Sequence, residues 1–345
     1  MVLCSACTNF FYLCVLNFSI MQIYKFNTIL KPVLWGGSKL LEFKGLPASK
    51  ELIGETWELS AMPGRESVVA EGMEVGMTLS QLVRHHGAEL VGDDVRHRYG
   101  DSFPLLIKFI DAHRDLSIQV HPGEKMARQR HGCLGKNEMW YILQADEHSL
   151  IRTGFNRPVS VDEFDRSLAD GSILDIVNAM YSSPGDVFYI PAGQIHSIGA
   201  GNMLVEIQQS SDITYRVWDY NRFDVDGKLR QLHVQEAREA LDFTPGGGKV
   251  HDKPCIAPGM TLLVDSPEFV VRHLEFNGGY CLENPGCHTF VAMVCIQGET
   301  TLQAAGMPPV AMRQGETVLV PAVLDRVEMS GTARLLLATV PSNRL

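Results

Sequence analysis

The chain has 345 residues, 45% of them apolar, which is enough for two domains or one large one with an appendage, each with its own core. A net charge of −10 with no Lys/Arg run excludes the basic face of a nucleic-acid binder, and an anionic substrate would need a local nest of cations set against that field. Eight cysteines at irregular spacing fit a reducing cytosol rather than a disulfide framework, and the lone Cys4-Ser-Ala-Cys7 has no second pair with which to form a zinc knuckle.

Residues 1–20 hold no charge, so the basic n-region of a signal peptide is missing, and Ser5, Thr8, Asn9, Asn17 and Ser19 dilute them below a membrane span. Met21 opens a stretch that reads as an ordinary protein start. The first twenty residues are therefore expected to be an upstream translation artefact, with a signal or anchor as the alternative. Leu30 to Gly37, containing Pro32, Gly36 and Gly37, reads as a turn-rich approach. Gly54 to Ser60 alternates strand-formers and predicts a strand across a sheet. Thr78-Leu79-Ser80-Gln81 has capping-box spacing and predicts a short helix to about Leu90, with Gly92 just beyond. Phe103 to Phe109, apolar except for Lys108, and Leu116 to Val120 predict buried strands.

A polar, Arg-rich helix is expected over Glu124 to His131, and a strand over Asn137 to Leu143. Ser160-Val161-Asp162-Glu163 is a second capping box, with Phe164 and Leu168 on one face; it predicts helix through Asn178 with a break near Gly171, a helical insertion at about 155–180. Strands resume at Asp186–Ile190, His196–Ile198, Met203–Gln209 and Thr214–Trp218, and Val234 to Leu241 reads as helix. Thr244-Pro245-Gly246-Gly247-Gly248 reads as a linker. Beyond it lie short strands at Phe269–Phe276, Thr289–Gln297, Thr300–Ala304, Glu316–Val320 and Leu335–Val340, the cadence of a jelly-roll sandwich or barrel.

One phrase occurs twice. Gly185-Asp186-Val187-Phe188-Tyr189-Ile190-Pro191-Ala192 and Gly315-Glu316-Thr317-Val318-Leu319-Val320-Pro321-Ala322 share G-[DE]-x-x-x-[IV]-P-A, which predicts a mainly β chain with a duplicated barrel, residues 21–245 and 250–345. His196 stands five residues after Pro191, whereas Arg326 takes that place after Pro321, so the second barrel is expected to lack metal ligands, with His288 at its surface or rim.

Alternate residues of a strand share a face, so Ser117, Gln119 and His121 point one way. Glu138 starts another strand on the side of Trp140 and Ile142, and His196 follows a Pro-Ala-Gly turn that aims it back into the barrel. Each of the four donors is at home in an ordinary structural role; what sets Gln119, His121, Glu138 and His196 apart is that all fall at strand ends beside turns. Two imidazoles, a carboxylate and an amide oxygen suit Zn²⁺ and leave room for substrate or water.

The stretch from Ile29 to His233 resembles the class I mannose-6-phosphate isomerases of the short bacterial type. The resemblance rests on Leu34-Trp35-Gly36-Gly37, Gly54-Glu55-Thr56-Trp57-Glu58-Leu59-Ser60, Asp115-Leu116-Ser117-Ile118-Gln119-Val120-His121-Pro122, Gly135-Lys136-Asn137-Glu138-Met139-Trp140-Tyr141, Ile190-Pro191-Ala192-Gly193-Gln194-Ile195-His196, and Ser211 to Tyr220. Gly123 departs from the Asp that normally follows the ligand His-Pro, at a position that is not a ligand in the family, and the last hundred residues match more loosely. The resemblance implies a double cupin with the helical insertion in its first half, one Zn²⁺ per subunit on Gln119, His121, Glu138 and His196, and conversion of mannose 6-phosphate to fructose 6-phosphate through a cis-enediol in the cytoplasm. Under that reading Arg216 stabilises the enediolate and Lys136, on the face of Glu138, moves the proton, with zinc-bound water as a rival base. Ser117 donates to the phosphate, Trp35 closes one wall, and Glu206 serves a ligand or a proton relay. The partner is a small phosphosugar, with neither nucleic acid nor membrane. A cupin oxygenase on Fe(II), opposed by the amide of Gln119, and a non-catalytic sugar-binding cupin, which has no need of Lys136 and Arg216, are the alternatives.

Overall fold

Strands that are buried on both faces force this chain into layers. Leu105–Ala112 and Asn202–Gln209 are buried at every position, so each must be covered twice. In the computed structural model, which describes residues 21–224, 226–284 and 288–342, they lie side by side in a six-stranded antiparallel sheet. Its order is Val187–Ile190, Glu138–Ala145, Asn202–Gln209, Leu105–Ala112, Ile53–Leu59 and Ile29–Gly37. Residues 1–20, with Cys4 and Cys7, fall outside the described residues.

One face of this sheet packs Ile110, Trp140, Ile142 and Phe188 against Leu116, Ile151 and Ile198 of a second sheet. That sheet has five strands, in the order Val177–Tyr181, Leu150–Phe155, His196–Ile198, Ile118–Val120 and Tyr215–Trp218. Its outer face is covered by the helices Val161–Asp170, Ile173–Ile176 and Val234–Ala240 through Phe164, Ile173 and Ala237. The other face of the six-stranded sheet meets Val271, Val294 and Leu336 of a C-terminal sheet, with Phe290 just ahead of one of its strands. The long strands of that third sheet, Val270–Glu283, Val291–Gln303 and Arg326–Thr339, turn their opposite face onto a core of their own around Leu274, Met293, Leu302 and Leu335. Its edge is completed from the other end of the chain, by Tyr24 and Lys25 against Leu319 and Val318.

The molecule is mainly β, and several local expectations are corrected. Ile29–Gly37 is a strand rather than a run of turns: it lies at a sheet edge, where Pro32 is tolerated, with register shifts on either side of that residue. The Thr78 capping box forms with both reciprocal bonds, but its helix stops at His86 because Gly87 adopts φ +54°; separate helices follow at Ala88–Val91 and Asp93–Tyr99. Helix does not reach Asn178. It ends at Asp170, Gly171 turns left-handed, and after Ile173–Ile176 the chain enters the strand Val177–Tyr181 beside Leu150–Phe155, a pair the sequence did not suggest. Thr244 to Gly248 is docked rather than loose: Gly246 N–H donates to Phe155 O at 3.3 Å and Tyr189 N–H to Gly248 O at 2.7 Å. Among the described residues no helix is long and apolar enough to cross a membrane.

Candidate metal centre and its pocket

The sandwich between the five- and six-stranded sheets brings the four expected donors together. Gln119 stands opposite His196 on one neighbouring strand and Arg216 on the other, so these three side chains share a row. Glu138, the first residue of its strand, comes from the facing sheet. Each imidazole is turned by its own backbone contact: His121 Nδ1 lies 2.9 Å from Ile213 O, and His196 Nδ1 lies 2.8 Å from Gln194 O. A ring that donates from Nδ1 keeps its lone pair on Nε2. The two Nε2 atoms face each other at 3.1 Å, and Glu138 places Oε2 and Oε1 3.4 Å from them. Donor atoms of His121, Glu138 and His196 all lie within 4.8 Å of one another, and all three residues are buried. The Gln119 amide nitrogen is 3.2 Å from His196 Nε2, while its oxygen accepts from the Ser117 hydroxyl at 3.2 Å.

The electrostatics set the protonation of this group. Burial, reinforced by the Lys136 ammonium, pushes His121 down to about 3, and burial lowers His196 as well, so both rings are neutral. Burial works to raise Glu138, but the Lys136 ammonium outweighs it and holds the carboxyl well below its usual range. Neither Glu138 oxygen has a hydrogen bond, although Lys136 Nζ lies 2.9 Å from Oε2; the ammonium is within reach but off the required line. Two neutral nitrogen lone pairs and an ionised, unsatisfied carboxylate buried face to face form the donor set of a divalent ion.

Beside the centre opens a cavity of about 330 Å³ lined by Ser117, Gln119, Lys136, Trp35, Glu206 and Arg216, all anticipated from the sequence. It is also lined by Lys31, Glu55, Lys108, Asp212 and Arg230, which were not. Five cations and three carboxylates therefore face this space, a positive surplus within an acidic chain. Lys108 donates to Glu206 at 2.7 Å and to Gln208 at 2.8 Å, and Trp140 Nε1 donates to Glu206 at 3.1 Å, which fixes that carboxylate from two sides. Arg216 donates to Gln231 O at 2.8 Å, and its buried Nε has no partner. It is not consumed by Asp219, whose carboxylate is taken by Arg222 and Arg230. Lys108 reads in sequence as an interruption of an apolar strand; only the strand register reveals its partner, for Lys108 stands directly opposite Glu206. In the C-terminal half, Arg326 pairs with Glu328 and the exposed His288 lies 3.8 Å from Asp94; among the described residues no trio of metal donors occurs there.

Residues 23–149 match the family model described as phosphomannose isomerase type I, catalytic domain. Over 320 residues the chain is 33% identical to mannose-6-phosphate isomerase ManA of Bacillus subtilis, covering 91% of this chain and 97% of that protein. It is 34% identical over 307 residues to the mannose-6-phosphate isomerase of Streptococcus mutans, covering 88% and 93%. Its fold superposes on the crystal structure of the mannose 6-phosphate isomerase from Bacillus subtilis with a TM-score of 0.84 at 30% identity, over 92% of this chain and 99% of that one.

Proposed function

The chain belongs to the type I mannose-6-phosphate isomerases, and from that premise we propose that it interconverts mannose 6-phosphate and fructose 6-phosphate through a cis-enediol, with one Zn²⁺ held by Gln119, His121, Glu138 and His196. The observation that supports it most is the buried Glu138 carboxylate, unsatisfied at both oxygens and facing two imidazole lone pairs. Gln119 would join through its amide oxygen, the atom that Ser117 now holds. When bound, the ion polarises the sugar oxygens as a Lewis acid.

The remaining work falls to the chain's own residues. The open-chain sugar loses a proton from C2 and regains one at C1; no electrons leave, so no redox cofactor enters the balance. Lys136, in the pocket wall within 3.0 Å of His121 Nε2, is placed to move that proton. Arg216 brings a charge that persists at any working pH to the oxygen where the enediolate develops. Glu206, clamped by Lys108 and Trp140, is the fixed carboxylate through which a proton can pass. The Ser117 hydroxyl and the cations of the wall receive the phosphate, and the buried Trp35 keeps water from one side.

We read the two halves, 21–245 and 250–345, as cupin-type jelly rolls. The repeated phrase supports this, because Val187–Ile190 and Thr317–Val320 are both strands running into a Pro-Ala turn. The free thiols Cys133, Cys255, Cys281 and Cys295 agree with a reducing cytosol. A coupled assay with mannose 6-phosphate, run with and without chelator and after zinc is restored, tests the proposal. Activity should vanish with the metal and return with zinc. A metal-free enzyme at full rate would refute the metal's role, and a zinc-loaded enzyme inert toward mannose 6-phosphate would refute the substrate.

A further inference from the structure

A second group of metal donors lies away from the pocket, where the helix Leu79–His86 ends. Glu74, His85 and His86 each bring one donor atom within 4.8 Å of the others. We propose that these three residues form a second transition-metal site, of the zinc, nickel and copper class, structural rather than catalytic. Two imidazoles and one carboxylate are a donor set that such ions take, and an exposed side leaves a coordination position for water. The geometry is held from several directions. Glu74 sits in a turn in which Gly72 and Gly76 adopt φ +94° and +90°, folding its carboxylate back onto the helix end. There Oε1 lies 2.5 Å from His86 Nε2, and Oε2 accepts from the Tyr24 hydroxyl at 2.5 Å. The rings of His85 and His86 stand edge to face, with centroids 4.6 Å apart. His86 is buried, Glu74 half-buried and His85 exposed, so an ion here is gripped from inside and solvated from outside.

Location favours a cation as well. The last turn of a helix presents unsatisfied carbonyls and the negative end of its dipole. A bound ion would also pin the turn around Glu74 to the helix end, and the Tyr24 hydroxyl on Glu74 carries that grip to a further strand. Tyr24 belongs to the strand that completes the C-terminal sheet, while Leu79, Leu82 and Val83 of the helix lie in the core shared by both halves. The site would therefore steady the turn and the helix that carry this part of the core, without touching the substrate pocket, with which it shares no residue.

The test uses zinc ion as the probe on the intact enzyme. After equilibration with zinc and removal of the loose excess, metal analysis should find about two ions per wild-type chain. His85→Ala, a change at an exposed position, should hold about one, with kcat and KM unchanged and the zinc-dependent rise in Tm diminished. Glu74→Gln should behave alike, whereas His121→Ala should also hold about one but lose activity. A single ion in the wild type overturns the proposal: the Tyr24, Glu74 and His86 contacts are then a hydrogen-bonded cluster and nothing more. Retention of the second ion in His85→Ala or Glu74→Gln equally overturns it, since the ion then sits elsewhere.

Discussion

Glu138 poses the problem that its neighbours solve. A buried carboxylate without a hydrogen bond is costly, and the Lys136 ammonium 2.9 Å from Oε2 keeps it ionised. Removing one ring should show how far the others depend on it. His121→Ala should lose metal and activity together, because the remnant holds zinc poorly; a metal-free protein that still turned over in the coupled assay would disconnect the two. Arg216→Ala should keep its zinc but lose roughly two to three orders of magnitude in kcat, as when one stabiliser of a developing oxyanion is removed; an unchanged kcat would leave Arg216 as a brace for Gln231. At this scale the sequence was informative where a strand fixes direction. Alternation put Ser117, Gln119 and His121 on one face, and the Pro191 turn aimed His196. It was silent on Lys31, Glu55, Lys108 and Arg230, which come from four separate places along the chain and meet only once the strands are paired.

Among elements, the local signals that held are those that carry their own hydrogen bonds. The Thr78 box is closed in both directions, with Gln81 N–H donating to the Thr78 hydroxyl at 3.2 Å and Thr78 N–H to the Gln81 amide oxygen at 2.8 Å. Thr78→Ala should therefore cost about 1 kcal/mol, read as a lower denaturant midpoint with an unchanged slope; no shift would mean that tertiary packing alone sets the helix start. Gly154 marks the opposite case, where a residue matters for the space it leaves. It adopts φ +71°, and a Cβ there would come within 1.8 Å of Gly246 O. Gly154→Ala should destabilise by more than about 1 kcal/mol and raise protease cutting at 244–248, while a fully protected segment would show that the docking tolerates the methyl. The misread elements share a cause. Val177–Tyr181 follows a helix so closely that its period was absorbed into it, and Ile29–Gly37 carries Pro32, tolerable only because the strand is at an edge.

At the scale of the molecule, the two halves are joined by a common core rather than by a hinge. Phe290 is fully buried and packs against Phe103 with centroids 4.6 Å apart and the rings tilted by 37°, one ring from each half. Phe290→Ala should cost about 3–5 kcal/mol, and calorimetry should show both halves melting in one lowered transition. Two separated transitions would mean that the halves fold independently of this face. The repeat was legible because it is a phrase of eight residues; the seam was not, because a face shared by segments more than a hundred residues apart leaves no local period.

The pairing of Tyr24 and Lys25 with Leu319 and Val318 sets a timetable for birth at the ribosome. This strand, the first among the described residues, finds its hydrogen-bonding edge only when almost all of the chain has been translated. Until then that edge is open to any extended peptide nearby, and a chaperone that shields Tyr24 and Lys25 governs whether closure comes on time.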